Sequence, residues 1–116
     1  MIQGLAVVGL WAEEVEKAAH FYKEILGLEL VSSHHGGLPH FKIGEAYLVI
    51  LNGKPVPPQG AVPARFPVVA FRVDDLDEAV ERLLAHNIEL PWGVEGEASA
   101  RWVMFYDPGG NLIELT

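Results

Sequence analysis

The sequence predicts an α+β domain built from two tandem β-α-β-β-β modules. Three observations carry this: an internal repeat, one amphipathic helix in each half, and a closing strand-turn-strand segment. Glu14-Val-Glu-Lys-Ala18 lies over Asp75-Leu-Asp-Glu-Ala79 at an offset of 61 residues, and Gly27-Leu-Glu-Leu30 lies over Asn87-Ile-Glu-Leu90 with one residue fewer. A duplicated pattern of this length is read as one supersecondary unit used twice.

In the first half, the apolar run from Leu5 to Leu10 is a strand. Acidic residues at its end lead into a helix, because Val15, Ala18, Ala19, Tyr22, Ile25 and Leu26 fall on one face and carboxylates at the start suit the helix dipole. Gly27 stops it. Strands are expected at Glu29 to Ser33, Pro39 to Ile43 and Tyr47 to Leu51. The second half repeats the order with a strand at Val68 to Val73. Its helix presents Leu76, Ala79, Val80, Leu83 and Leu84 on one face and stops at Asn87. Strands at Glu89 to Trp92, Ala100 to Tyr106 and Leu112 to Leu115 follow. Between the halves, Asn52 to Pro63 holds four of the eight prolines, which resist joining a sheet. The modules are therefore placed at about 1–52 and 65–116, with a linker at about 53–64.

The chain's end is its most informative part. Asp107-Pro-Gly-Gly-Asn111 is a turn on chemical grounds: proline fixes φ, the glycines accept positive φ, and the aspartate and asparagine side chains bond nearby backbone. Glu114 then sits in an otherwise apolar strand, where a carboxylate needs a partner, solvent or a ligand.

At 116 residues the chain is one domain, large enough for a hydrophobic core. The absence of cysteine excludes disulfides, thiolate chemistry and cysteine-ligated zinc. A formal charge of −8 has the wrong sign for nucleic acid or anionic lipid and would favour a cationic small molecule, although acidity of this kind also serves solubility alone. Met1-Ile-Gln-Gly has no basic region followed by a long apolar run, and no stretch reaches the ~18 apolar residues of a membrane helix, so a cytoplasmic location is expected.

In order and spacing, Val15 through Phe21-Tyr22, Leu26-Gly27-Leu28, Val73-Asp74-Asp75-Leu76 with Ala79, and Phe105 through Asn111 to Glu114 resemble the vicinal oxygen chelate superfamily. This group includes glyoxalase I, extradiol dioxygenases, methylmalonyl-CoA epimerase, fosfomycin-resistance enzymes and the metal-free bleomycin-resistance proteins. The resemblance spans nearly the whole chain. It implies sheets curling into a cup-shaped mixed sheet, with the site on its floor and the helices on the outer face. It also implies metal ligands on the first and last strand of each module.

Carried over residue by residue, the first-strand ligand positions fall on Val7 and Val68, and Glu114 matches the last-strand ligand of the second module. Its counterpart in the first module is Ile50, or Val49 one residue earlier. Aliphatic side chains donate nothing to a cation, and one carboxylate does not hold a divalent metal, so no metal or other cofactor is expected. His34, His35 and His40 beside Gly36-Gly37 are the residues that would supply a shifted ligand set; as hairpin polar groups they need no such role.

Alternation puts Leu5, Val7, Gly9 and Trp11 on the cup side of the first strand, and Val68, Ala70 and Arg72 on that side of its repeat. Leu112, Glu114 and Thr116 share a face, as do Arg101, Val103 and Phe105. Arg101 sits where relatives carry a basic or polar residue near the ligand. The ligand-binding candidates are Val7, Trp11, His40, Ile50, Val68, Arg72, Trp92 and Arg101, with Glu114 the candidate catalytic residue. Gly93 to Ser99, small and polar, reads as a lid or a plain loop.

Two functional classes follow. One is a metal-free protein that holds a small organic ligand in an apolar cup. The alternative is a lyase, isomerase or epimerase that uses Glu114 as acid or base, since desolvation tunes carboxyl groups for that work. A metal-dependent glyoxalase or dioxygenase ranks third. From the resemblance, the protein is expected to be a homodimer, its linker long enough for modules to swap.

Overall fold

The computed structural model describes residues 1, 3–32, 37–54, 68–98 and 100–116. His34, His35 and, from Pro55 onward, the proline-rich linker lie outside the described residues. The chain forms two compact units: Met1–Pro55 with Pro108–Gly110, and Val56–Asp107 with Asn111–Thr116.

The first unit holds β1 (Val7–Ala12), α1 (Val15–His20), β2 (Glu29–Ser32), β3 (His40–Ile43) and β4 (Ala46–Asn52). The sheet order is β1-β4-β3-β2, with β1 parallel to β4 and the remaining pairs antiparallel. α1 runs on into a wider π turn over Phe21–Ile25, closed by the Leu26 N–H donating to the Phe21 carbonyl at 3.1 Å. The extra residue in that turn lets Phe21 and Tyr22 both enter the core, whereas regular periodicity selects Tyr22 alone. Their rings meet edge to face at 5.3 Å, and Tyr22 reaches Phe41 on β3 at 6.1 Å. Leu10, Ala12, Leu48 and Ile50 complete this core. Gly27 takes a φ of +72°, the left-handed conformation that ends helices.

The second unit holds β5 (Val69–Phe71), α2 (Leu76–Ala85), β6 (Val94–Glu97), β7 (Ala100–Tyr106) and β8 (Leu112–Leu115), in the order β5-β8-β7-β6 with β5 parallel to β8. Asp75 caps α2 by accepting from the Glu78 N–H at 3.1 Å. At the other end, Asn87 has a φ of 60° and the Ile88 N–H donates to the Leu83 carbonyl at 3.0 Å. Leu83, Val103, Phe105, Ile113 and Leu115 are buried, four of them on one face of β7 and β8.

Two β-α-β-β-β modules with mixed sheets are therefore present, and one expected strand has moved. Glu89 to Trp92 is not extended: the Gly93 N–H donates to the Leu90 carbonyl at 3.0 Å and Gly93 has a φ of +62°, which makes a turn around Pro91. The strand is Val94–Glu97, paired antiparallel with β7 through Val94↔Val103, Glu95↔Trp102 and Gly96↔Arg101. The segment expected as a lid or loop is thus mostly sheet edge, and the Trp102 indole N–H donating to Glu95 at 2.6 Å ties it down.

Candidate functional site

The ladders of the first unit arrange one sheet face in rungs. Val7, Tyr47 and Lys42 form one rung across β1, β4 and β3, and Gly9, Val49 and His40 form the next. Trp11 pairs with Leu51 beyond them. This face is the one turned away from the Leu10, Leu48 and Ile50 core, since neighbours along a strand alternate. It carries a depression of about 390 Å³ lined by Val7, Gly9, Tyr47, Val49 and Leu51, with Leu38 and His40 at its side. That volume lies at the small end of the roughly 300–1,000 Å³ typical of ligand pockets.

Gly9 makes room here. A Cβ at this position would lie 2.9 Å from Leu51 Cδ1, so the missing methyl lets Leu51 lean across β1. His40 is oriented by its Nδ1, 2.9 Å from the Leu38 carbonyl oxygen. Trp11 is 45% exposed and packs its ring against Gly53, where a Cβ would lie 2.6 Å from Trp11 Cε3. It stands beside the depression rather than in its lining.

Val7 and His40 are thus brought together and Ile50 is not. Ile50 is fully buried on the opposite face of β4, paired with Leu10, and the residue facing the depression is Val49. The assignment slipped by one residue, which in a strand exchanges the two faces. Tyr47, Leu51 and Lys42 were missed as well. The alternation that selected Val7 and Gly9 finds them when it is continued along β4 and β3.

In the second unit, Glu114 lies on β8 between Ala70 on β5 and Met104 on β7. It is half-buried, and its carboxylate makes no hydrogen bond or ion pair with any described residue. Arg101 is on the other face of its sheet, in line with Val103 and Phe105, and donates to Asp77 of α2 from both terminal guanidinium nitrogens at 3.1 and 3.4 Å. It therefore serves the helix side and cannot counter the Glu114 charge. Val68 is exposed just before β5. Arg72 is exposed and borders a shallow polar depression at the start of α2 with Asp75, Glu78 and Arg82. Trp92 is half-buried against Tyr106, ring centres 6.0 Å apart.

The donor set does not fit a divalent metal. The implied ligand positions hold Val7, Val68, Glu114 and Val49 or Ile50, one oxygen donor among hydrocarbons. Among the described residues no three histidine, aspartate or glutamate side chains converge on a point. Among the same residues no helix is long and apolar enough to cross a membrane.

Comparison with known proteins agrees with this architecture. The fosfomycin resistance protein FosX of Listeria monocytogenes is 27% identical over 124 residues, covering 99% of this chain and 90% of its own. A crystal structure of a FosX mutant, complexed with Mn(II) and 1S,2S-dihydroxypropylphosphonic acid, superposes with a TM-score of 0.78 at 25% identity, over 99% of this chain and 90% of that one. TnmS3, an antibiotic-binding protein from Streptomyces sp. CB03234, superposes with a TM-score of 0.77 at 27% identity, over 99% and 95% of the two chains. The lactoylglutathione lyase of Agrobacterium tumefaciens gives 0.76 and 27%, over 99% and 93%. Residues 4–115 match the glyoxalase/bleomycin resistance protein/dioxygenase superfamily as a whole. With two β-α-β-β-β modules in sequence and this match along nearly its full length, the chain belongs to that superfamily.

Proposed function

We propose that this protein binds a small, mostly apolar organic molecule on the first sheet, in contact with Val7, Val49 and His40, and that it does so without a metal. The observation that carries the reading is the depression itself, whose lining is aliphatic or aromatic apart from the His40 ring and the Tyr47 hydroxyl. Apolar contact supplies affinity there, while the few polar groups fix orientation. The likeness to an antibiotic-binding protein supports binding as the activity. The hydrocarbon at the ligand positions supports a metal-free site. A homodimeric state and a cytoplasmic location belong to the same proposal. So does a ligand contact by Trp11, which stands beside the depression.

The test is a thermal-shift and calorimetric screen of small aromatic and alicyclic compounds, antibiotics included, with and without chelator. Affinity is expected to survive the chelator and to fall about tenfold in Val49→Gln, which puts an amide where an apolar wall is needed. A hit that binds only with added Mn, Ni, Zn or Fe would refute it.

Glu114 favours a second reading. A half-buried carboxylate without a described partner is a candidate acid or base for a lyase, isomerase or epimerase step, and the likeness to a lactoylglutathione lyase points the same way. Glu114→Gln separates the two. Retained affinity with turnover abolished marks an enzyme; no effect on either leaves the glutamate without a role.

A further inference from the structure

Although the chain carries a formal charge of −8, a lysine stands at the Tyr47 wall of the depression, and this bears on what the site accepts. Lys42 shares its rung with Tyr47 and Val7, and its ammonium lies 5.0 Å from the centre of the Tyr47 ring that walls the depression. On its other side the same rung ends in Glu29 of β2, directly paired with Lys42. A lysine there has two choices, the carboxylate or the ring. No ion pair joins Lys42 to Glu29 or to any other described residue, and the side chain turns over the ring. One rung further along β3, His40 brings its imidazole to the same face. An ammonium resting on an aromatic face keeps N–H donors for a second partner.

The geometry points to a ligand with an apolar body and one anionic group, a carboxylate in the simplest case. The body lies over Gly9, Val49 and Leu51, and the anion meets Lys42 at the Tyr47 edge. Lys42 is then the residue that determines specificity. The inference rests on the proposed binding site and names the ligand class for it. It departs from the expectation drawn from net charge, which favoured a cation, because fields inside a contact are set by the nearest groups while the distant acidic surface is screened within a Debye length of about 8–10 Å. Glu29, on the neighbouring strand β2 and paired with Lys42, is an acidic group that opposes it on this face.

Three probes that share a benzyl body test it: phenylacetate, phenylacetamide and 2-phenylethylamine, titrated into the full chain and followed by amide NMR shifts of Val7, Gly9, Val49 and Leu51. The carboxylate is expected to bind about tenfold more tightly than the amide, in line with one charge-assisted hydrogen bond, and the amine more weakly than either. The preference should shrink as salt rises. Lys42→Met should bring the ratio of carboxylate to amide affinity to about one, while Lys42→Arg and the remote Lys23→Met keep it. Equal binding of carboxylate and amide by the unmodified protein would overturn the inference and leave the apolar site standing. If no probe moves those four amides, the site and the inference fall together.

Discussion

A single absent methyl group shapes the candidate site. Gly9 faces the depression, and the atom that an added Cβ would meet is the far end of Leu51, which can rotate away. Gly9→Ala is therefore expected to change stability by no more than about 1 kcal/mol, because relief of backbone entropy offsets the crowding. It should still weaken ligand binding, since the displaced Leu51 tip enters the space the ligand needs. Gly109 presents the opposite case. A Cβ there would collide with the Trp11 carbonyl oxygen and the Ala12 backbone, neither of which can rotate aside. Gly109→Ala should cost about 1–3 kcal/mol, measured as a lowered denaturant midpoint. Neither steric consequence was legible in the sequence, where Gly9 is one residue of an apolar run and Gly109 one of a turn. The face of Val7 was legible, because alternation along an unbroken strand needs only one correct anchor. The counterpart of Glu114 was left between Ile50 and Val49, and the structure puts Val49 on the depression, because one residue in a period of two reverses the face.

Elements with strong local chemistry were readable, and those defined by pairing alone were not. The Asp107 to Asn111 turn is written in residues that close on themselves. Asp107 accepts from the Asn111 backbone N–H at 2.8 Å and from its amide at 2.9 and 3.0 Å, and both residues are buried. Asp107→Ala leaves those donors buried without an acceptor, so a loss of about 2–3 kcal/mol is expected in chemical denaturation. Asp107→Asn keeps an acceptor and should lose less. The bond from Arg101 to Asp77 has good geometry but joins a side chain 37% exposed to one 73% exposed. A double-mutant cycle on that pair is expected to give no more than about 0.5 kcal/mol. Helices α1 and α2 were legible from apolar spacing and from Gly27 and Asn87, whose positive φ values match their roles as stops. β6 was not. Val94-Glu-Gly-Glu97 has one apolar residue and lies at the sheet edge, so only its ladder with β7 and the Trp102 to Glu95 bond define it. Edge strands carry charge for a physical reason, since unpaired backbone invites aggregation, and that charge makes them read as loops.

For the molecule as a whole, repeat and composition foretold more of the architecture than of the chemistry. The offset of 61 residues appears in space as two sheets of the same order, each with a parallel pair at one edge and antiparallel pairs beyond it. Net charge describes the molecule and not the site, because a sum over 24 charged side chains says little about the few that border one depression. The donor count, by contrast, is a property of the sequence that no packing can alter, and it yields a prediction for the intact protein. A divalent ion held at 100 times its Kd would stabilise the native state by about 2.7 kcal/mol, enough to raise the unfolding midpoint of a domain this size by something on the order of 10 °C. With valine at both first-strand positions and Glu114 the lone donor, Mn, Ni, Zn or Fe at about 1 mM should instead leave the midpoint within roughly 1 °C of its value in chelator. Calorimetry in both buffers, with metal analysis of protein purified without chelator, makes the comparison. A shift of several degrees that disappears on chelation would mean that donors outside these four positions hold the ion.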